Sequence, residues 1–163
     1  MATHKYHEQN LGNLPRTVRN SKRNGELVEV AFLHKAVSLG FAASKPYGDS
    51  EPYDFILDAD RNGSHQLWRV QVKSSGCNFH GAYHITAGHF SSRATKVSYT
   101  PEQIDFLVVC IVPEDAWYVL PIRDFSPRRY LSFFPHLPKT KSRGRYEHLR
   151  DAWHLMAPPL LPA

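Results

Sequence analysis

The chain has 163 residues, a formal net charge of +5 and a pI near 9.3. This length is too short for two ordinary domains, and no apolar run is long enough to span a membrane. The N-terminus lacks the hydrophobic region of a signal peptide, so we expect a cytoplasmic protein without a membrane partner. Two cysteines do not indicate a disulfide, and the excess of basic residues favours a polyanionic partner.

Residues 24–41 predict one helix that ends at Gly40. Glu26 and Glu29 are three residues apart and therefore share one face of this helix. Most of the remaining helix surface is apolar, which predicts packing against a sheet. Two carboxylates on a largely buried helix need a partner, and a cation is the simplest one.

Residues 53–57 and 67–73 predict two strands of a hairpin, joined by a turn rich in residues that tolerate positive φ. If the turn is centred near residues 61–63, paired residue numbers sum to roughly 125. Asp54 then lies opposite Gln71 or next to it. Lys73 projects from the same face as Gln71, about 7 Å further along the strand.

A carboxylate, an amide oxygen and a lysine in this arrangement suit metal-dependent hydrolysis of a phosphodiester. Asp54 and Gln71 supply oxygen ligands for a hard cation, and Lys73 supplies a positive charge near the attacked phosphate. On these three residues alone, a solvated sheet is the simpler interpretation, because an acid and a lysine near strand ends are common there.

The second half of the chain predicts further elements of an α/β fold. Thr100-Pro101-Glu102-Gln103 is typical of a helix start and introduces a short turn before a buried strand at residues 105–112. Another strand is predicted at residues 117–122. Apolar residues at helical spacing predict a C-terminal helix from Tyr146 to Met156 that closes the core.

Several short segments follow one another in a specific order along the chain. After the glutamate-bearing helix come Gly40-Phe41, Lys45-Pro46-Tyr47-Gly48-Asp49, Tyr53-Asp54, Arg69-Val70-Gln71-Val72-Lys73-Ser74, Tyr99-Thr100-Pro101-Glu102-Gln103-Ile104-Asp105-Phe106, Ile111-Val112-Pro113-Glu114-Asp115-Ala116-Trp117-Tyr118 and Ala152-Trp153-His154-Leu155. This ordered set resembles the PD-(D/E)xK nuclease superfamily. It is most similar to the branch associated with bacterial group I introns, whose third motif carries Gln in place of the usual acid.

The resemblance implies a restriction-endonuclease-like α/β core, with a mixed central β-sheet flanked by helices. It implies that Asp54 binds Mg²⁺ directly, with Mn²⁺ as a substitute, and that Gln71 and the backbone carbonyl of Val72 complete the metal site. Glu29 is the expected helix acid, acting on the metal directly or through water, and Glu26 is the second choice. Since Gln71 is neutral, the site has one negative charge fewer than most members.

The same resemblance assigns Lys73 a catalytic role, in which it orients the attacking water or stabilises charge on the phosphate. The implied activity is Mg²⁺-dependent cleavage of double-stranded DNA by a homing-like endonuclease. One such core cuts one strand, so we expect a homodimer or a tetramer. Two alternatives stay open: a structure-selective nuclease similar to Holliday-junction resolvases, and a non-catalytic DNA-binding module on the same fold.

Basic clusters predict where DNA phosphates are contacted. A basic and flexible arm is expected at residues 1–22, a single nuclease domain at 23–157 and a tail at 158–163. His84 and His89 are expected beside the substrate, and their spacing with Cys77 and His80 does not match a zinc site. The candidate phosphate contacts are Arg16, Arg19, Lys22 and Arg23 before the first helix, Arg93 and Lys96 in a polar stretch that could also be an ordinary loop, and Lys139, Lys141, Arg143 and Arg145.

Overall fold

The computed structural model describes residues 21–61, 63–90, 94–137 and 144–157. Within these ranges the chain forms a long helix, three sheets and several short helical turns, which confirms the predicted mixed α/β fold. The helices and strands are α1 (Ser21–Ser38), β1 (Ala42–Ser44), β2 (Phe55–Arg61), β3 (Ser64–Ser75), β4 (Asn78–Phe79), β5 (Ala82–Thr86), β6 (Gly88–Phe90), β7 (Lys96–Ser98), β8 (Phe106–Ile111), β9 (Ala116–Pro121), α2 (Ile122–Phe125) and β10 (Tyr130–Phe133).

Helix α1 packs on the central sheet through Val28, Phe32 and Ala36, which are spaced four residues apart and buried. It ends at Ser38, just before the predicted stop at Gly40, whose φ of 89° is unfavourable for any residue with a Cβ. The N–H of Phe41 donates to the carbonyl of Ala36, which satisfies a carbonyl that the helix end leaves open.

The start of α1 differs from the prediction. Lys22 and Arg23 lie inside the first turn of the helix instead of preceding it. Both residues are good helix formers, and the glycine at position 25 costs too little to stop the helix. Arg16 and Arg19 of the same predicted cluster lie outside the described residues.

The central sheet has five strands in the order β1-β2-β3-β8-β9, and only the β3–β8 pair is parallel. Strands β2 and β3 form the predicted hairpin: Phe55 pairs with Val70 and Arg61 pairs with Ser64. The N–H of Asp54 donates to the carbonyl of Val70, so the ladder continues past the strand end. Asp54 therefore lies opposite Gln71, as the predicted register required.

The sheet separates two hydrophobic cores because strand residues alternate between its faces. In β8, Val108 and Cys110 belong to the core under α1, whereas Leu107 and Val109 belong to the core under β5 and β10. Lys73 pairs with Val109 in the parallel register. Its neighbour Val72 is in the core under α1, so Lys73 and Gln71 project from the opposite face.

The predicted C-terminal helix is wrong. Residues 146–156 form two short 3-10 helices, Glu147–Leu149 and Trp153–Met156, separated by Asp151 with a φ of 56°. Tyr146 and Leu149 are buried in the core under β5 and β10, while Trp153 and Met156 are buried in the core under α1. One straight helix presents a single apolar face and cannot fill both cores, so the segment bends around the sheet edge.

The N–H of Asp151 donates to the carbonyl of Trp117 in the edge strand β9, which fixes this bend. Cys110 is a buried core residue and Cys77 is exposed, so these two cysteines are free as expected. Among the described residues, none of the helices has both the length and the apolar character needed to cross a bilayer.

Candidate active site

Asp54 and Gln71 form the centre of the candidate site, where β2 begins. Oδ2 of Asp54 accepts hydrogen bonds from Nε2 of Gln71 at 2.5 Å and from the N–H of Val72 at 2.8 Å. Nε2 of Gln71 also donates to the carbonyl oxygen of Val72 at 3.1 Å. The positive end of the Gln71 amide thus lies between the two oxygens that the sequence predicted as metal ligands.

This set of donors fits a hard divalent cation. Rotating the Gln71 amide by 180° replaces its NH₂ group with its oxygen, so that Asp54, Gln71 and Val72 all present oxygens. Mg²⁺ and Mn²⁺ prefer such ligands. No cluster of three or more acidic, histidine or cysteine side chains suited to a metal exists within the described ranges. Any metal bound here would therefore depend on neutral oxygens as well as on carboxylates.

The electrostatic environment of Asp54 also favours a cation. Burial raises the pKa of its carboxyl above the ordinary value, and the nearby negative charge of Glu29 raises the pKa further. The hydrogen bond from Val72 and the charges of Lys73 and Lys45 act in the opposite direction but do not cancel the increase. A divalent ion bound here would favour the ionised form of the Asp54 carboxyl.

Glu29 of α1 makes an ion pair with Lys45, with Nζ and Oε2 2.5 Å apart. The Lys45 ammonium also lies 5.6 Å from the ring centroid of Phe55, next to Asp54 in sequence. The hydrogen bond to Glu29 raises the pKa of Lys45. Lys45 was not predicted as a site residue, although it stands within a segment that carried the family resemblance.

A pocket between α1 and the β1–β2 edge contains these groups, and we call it the acidic pocket. Glu26, Glu29 and Lys45 supply its charged lining. Glu26 is exposed, whereas the side chain of Glu29 retains 25% of its exposure. The two glutamates thus share a face as predicted, but within the described ranges only Glu29 has a charged partner and acts on the pKa of Asp54.

A second pocket lies on the face of the central sheet from which Lys73 projects, and we call it the basic pocket. Lys73, Ser74, His84, Thr86, His89 and Lys96 supply its polar lining, and no acidic residue takes part. The hydroxyl of Ser75 donates to the carbonyl of His84 at 3.1 Å, which holds β5 beside the end of β3. A Cβ at Gly88 would lie 2.3 Å from the carbonyl oxygen of Val97, so glycine is needed where β6 and β7 meet.

Arg69 and Asp105 stabilise the position of β3, the strand that carries Gln71 and Lys73. The guanidinium of Arg69 and the carboxylate of Asp105 are 2.9 Å apart, and the same carboxylate accepts the backbone N–H of Arg69. These contacts join β3 to the turn before β8. They set the parallel register in which Val70 pairs with Phe106.

The predicted DNA contacts are only partly within the described residues. Lys22 and Arg23 on α1, Lys96 on β7 and Arg145 near the C-terminal bend are exposed. Of these, only Lys96 lines one of the two pockets. The other predicted contacts, namely Arg16, Arg19, Arg93, Lys139, Lys141 and Arg143, lie outside the described residues.

Comparisons with known proteins agree with this fold. The family model described as PD-(D/E)XK endonuclease matches residues 19–156. The solved structure of a bacterial homing endonuclease, I-Ssp6803I, matches with a TM-score of 0.70 and 28% identity, covering 83% of this chain and 92% of that chain. A search of curated proteins found no match. The chain belongs to the PD-(D/E)XK endonuclease family.

Proposed function

We propose that this endonuclease cleaves double-stranded DNA with Mg²⁺ as its metal and Mn²⁺ as a substitute. The observation that carries this proposal is the position of the Gln71 amide between the Asp54 carboxylate and the Val72 carbonyl. An NH₂ group there occupies the place that a cation coordinated by both oxygens would take. The similarity to a bacterial homing endonuclease supports a homing type of activity. The association with group I introns rests on the resemblance in sequence.

The chain's own residues have distinct roles in the proposed reaction. Asp54, the carbonyl of Val72 and a rotated Gln71 hold the metal, and Glu29 holds it directly or through water. When bound, the metal polarises the phosphate and lowers the pKa of water. Lys73 projects from the same face as Gln71 and orients the attacking water or stabilises the charge that develops on the phosphate.

Gln71 tunes this site instead of inactivating it. A neutral amide contributes an oxygen without a second full negative charge, so the bound metal keeps a stronger pull on the phosphate. The cost is weaker metal binding. The closeness of Glu29 to Asp54 offsets part of this cost, because its negative charge favours a nearby cation.

We further propose that the enzyme acts as a homodimer or a tetramer, since one core cuts one strand. Helix α1 exposes a second apolar face beside the one that packs on the sheet. Val30, Leu33 and Val37 on this face retain 66%, 38% and 55% of their exposure. Such a stripe on a helix is surface that a second copy can cover.

The single nuclease domain at residues 23–157, with an arm at 1–22 and a tail at 158–163, stays a prediction. The family match over residues 19–156 supports it. A cytoplasmic location also stays a prediction, and a DNA substrate favours it.

The proposal is tested by incubating the purified protein with Mg²⁺, Mn²⁺ or EDTA and two DNA probes: fragmented genomic DNA and a four-way junction. Mapping of the cut ends should give recurrent sites in the genomic pool with Mg²⁺ or with Mn²⁺, and no cut ends with EDTA. Cleavage of the junction irrespective of sequence would favour a structure-selective nuclease. If the wild type and Lys73→Ala are equally inactive on both probes, the chain is a non-catalytic DNA-binding module.

A further inference from the structure

The basic pocket has the composition of an anion site. Two lysines and two histidines line it, no carboxylate does, and its volume is about 540 Å³. Ligand pockets are roughly 300–1,000 Å³ in size. Lys73, two residues beyond Gln71 on β3, is one of its lining residues, so the pocket lies near the candidate metal site.

Two exposed side chains are positioned to donate hydrogen bonds in this pocket. Nδ1 of His84 and the hydroxyl of Ser132 lie 2.9 Å apart, which fixes the ring and leaves Nε2 without a partner among the described residues. Nζ of Lys96 lies 5.6 Å from the ring centroid of Phe90. The aromatic ring restrains the ammonium without neutralising its charge.

His89 also lines the pocket, and its tautomer follows from its neighbours. Oε1 of Gln103 accepts the N–H of Thr100, so the amide nitrogen of Gln103 faces Nε2 of His89 at 3.3 Å. That nitrogen can only donate, which makes Nε2 the acceptor and places the ring proton on Nδ1. Nδ1 is buried and has no partner in the described part of the chain. Because Nδ1 is not accessible from the open pocket, His89 forms part of the pocket wall and does not itself donate to a ligand there.

The stack of His89 on Tyr99, with ring centroids 5.4 Å apart, links the pocket to the metal site. Tyr99 is buried, and the charge of Asp54 helps to raise its pKa, so the phenol stays protonated. His89, which lines the basic pocket, is therefore in contact with Tyr99, a residue whose pKa is affected by the charge of Asp54.

We propose that the basic pocket binds the phosphate next to the scissile phosphate on the cleaved strand, with His84 and Lys96 as its principal donors and His89 as a positioning residue. This inference rests on the proposed function. Lys73, which borders the pocket, then lies between the two phosphates. The pocket would hold the strand while Asp54 and Gln71 act on the neighbouring bond.

The first test measures binding of a fluorescent mixed-sequence duplex in EDTA over a range of salt concentrations. Lys96→Gln should lower the salt slope by about 1, as expected for one lost phosphate contact. His84→Ala together with Lys96→Gln should weaken binding about tenfold at moderate salt, with an unchanged thermal unfolding midpoint. Lys35→Gln and His65→Ala serve as matched controls outside the pocket. Equal effects of pocket and control variants would overturn the inference, whether or not the wild type cleaves DNA.

The second test locates the phosphate on a substrate that the wild type cuts. Neutral methylphosphonates are placed one at a time beside the cut site, and single-turnover cleavage is measured. One flanking substitution should slow the wild type but have little further effect on the His84→Ala, Lys96→Gln protein. Equal slowing in both proteins would place the contact elsewhere. If the wild type cuts no DNA but the salt slope still falls, the proposed function fails while the pocket remains a phosphate site.

Discussion

The acidic pocket lies on the α1 face of the central sheet, the basic pocket lies on the face from which Lys73 projects, and the two pockets differ in charge. The acidic pocket joins Glu26 and Glu29 of α1 to the single cation Lys45. The basic pocket, built on β3, β5 and the β6–β7 hairpin, has two lysines and no acid. Hydrolysis of a phosphodiester needs both environments, because a cation and a polyanion must meet at one place.

This difference in charge indicates that the central sheet separates the place for the cation from the place for the phosphate. Burial raises the pKa of Asp54, and the negative charge of Glu29 raises this pKa further. Lys73, two residues beyond Gln71 on the same strand, belongs to the basic pocket. A spacing of about 7 Å along one strand therefore separates a place for a cation from a place for a phosphate. The predictions below test whether this division is functional.

The largest effects are expected at Lys73 and Asp54. Lys73→Ala and Asp54→Asn should each lower the cleavage rate by at least about 10²–10³-fold, because both side chains act on charge that develops in the transition state. DNA affinity should stay within about threefold of the wild type, since ground-state binding depends on other contacts. Single-turnover kinetics and binding isotherms measure the two quantities. Rapid cleavage by either purified variant would show that the reaction occurs elsewhere.

The next effect concerns the acidic pocket. Glu29→Gln should raise the Mg²⁺ concentration for half-maximal cleavage by about 10–100-fold, the usual cost of losing a residue that supports a metal site. The variant also leaves Lys45 without its carboxylate partner, and the unpaired ammonium opposes a nearby cation.

Glu26→Gln is the matched control for this experiment, because Glu26 lines the same pocket but is exposed. Its midpoint should change by less than about twofold, as expected for a solvated charge. A larger shift for Glu26→Gln than for Glu29→Gln would make Glu26 the helix acid. Calorimetric titration with Mn²⁺ would verify that the midpoints report metal affinity.

A smaller shift of opposite sign is expected at Gln71. Gln71→Glu adds a negative charge between Asp54 and the Val72 carbonyl, so the Mg²⁺ midpoint should fall by about threefold to tenfold. The maximal rate need not rise, because more charge on the ligands weakens the pull of the metal on the phosphate. An unchanged midpoint in the same titration would mean that Gln71 does not bind the metal.

The smallest effect is on stability in the absence of metal. Since burial raises the pKa of Asp54, its contribution to stability is full below the unfolded pKa of about 3.9 and is lost as pH rises through the higher folded pKa. Asp54→Asn removes this loss and should raise Tm at neutral pH by about 2–4 °C, or about 1 kcal/mol. This increase in Tm should become smaller towards about pH 4, where the Asp54 carboxyl is protonated more often in both the folded and the unfolded protein. Calorimetry in EDTA at both pH values checks this, and a lower Tm at neutral pH would contradict it.

The hairpin and its register were predictable because they depend on local features. Alternating side chains and a turn containing Gly63, whose φ is 82°, define which residues pair. The opposition of Asp54 and Gln71 follows from that register alone. The helix over α1 was equally predictable, but its beginning was placed three residues too late, because Asn24 and Gly25 are poor helix formers and still lie inside the helix.

Other features depended on distant parts of the chain. The spacing of Tyr146, Leu149, Trp153 and Met156 indicated burial correctly, but it could not reveal that these side chains fill cores on opposite faces of a sheet. Lys45 was missed because its partner Glu29 is 16 residues away on another element. The unpaired Nδ1 of His89 likewise results from contacts that no local pattern encodes.

The sequence by itself determined the family, the pairing of β2 with β3 and the face shared by Gln71 and Lys73, because these depend on ordered motifs and on the two-residue period of a strand. Only the tertiary structure decided that Glu29 and not Glu26 has Lys45 as its partner, and that His84, His89 and Lys96 line one pocket free of carboxylates. These arrangements join elements far apart in the chain, and their geometry is set by how helix α1 and the small sheets pack on the two faces of the central sheet.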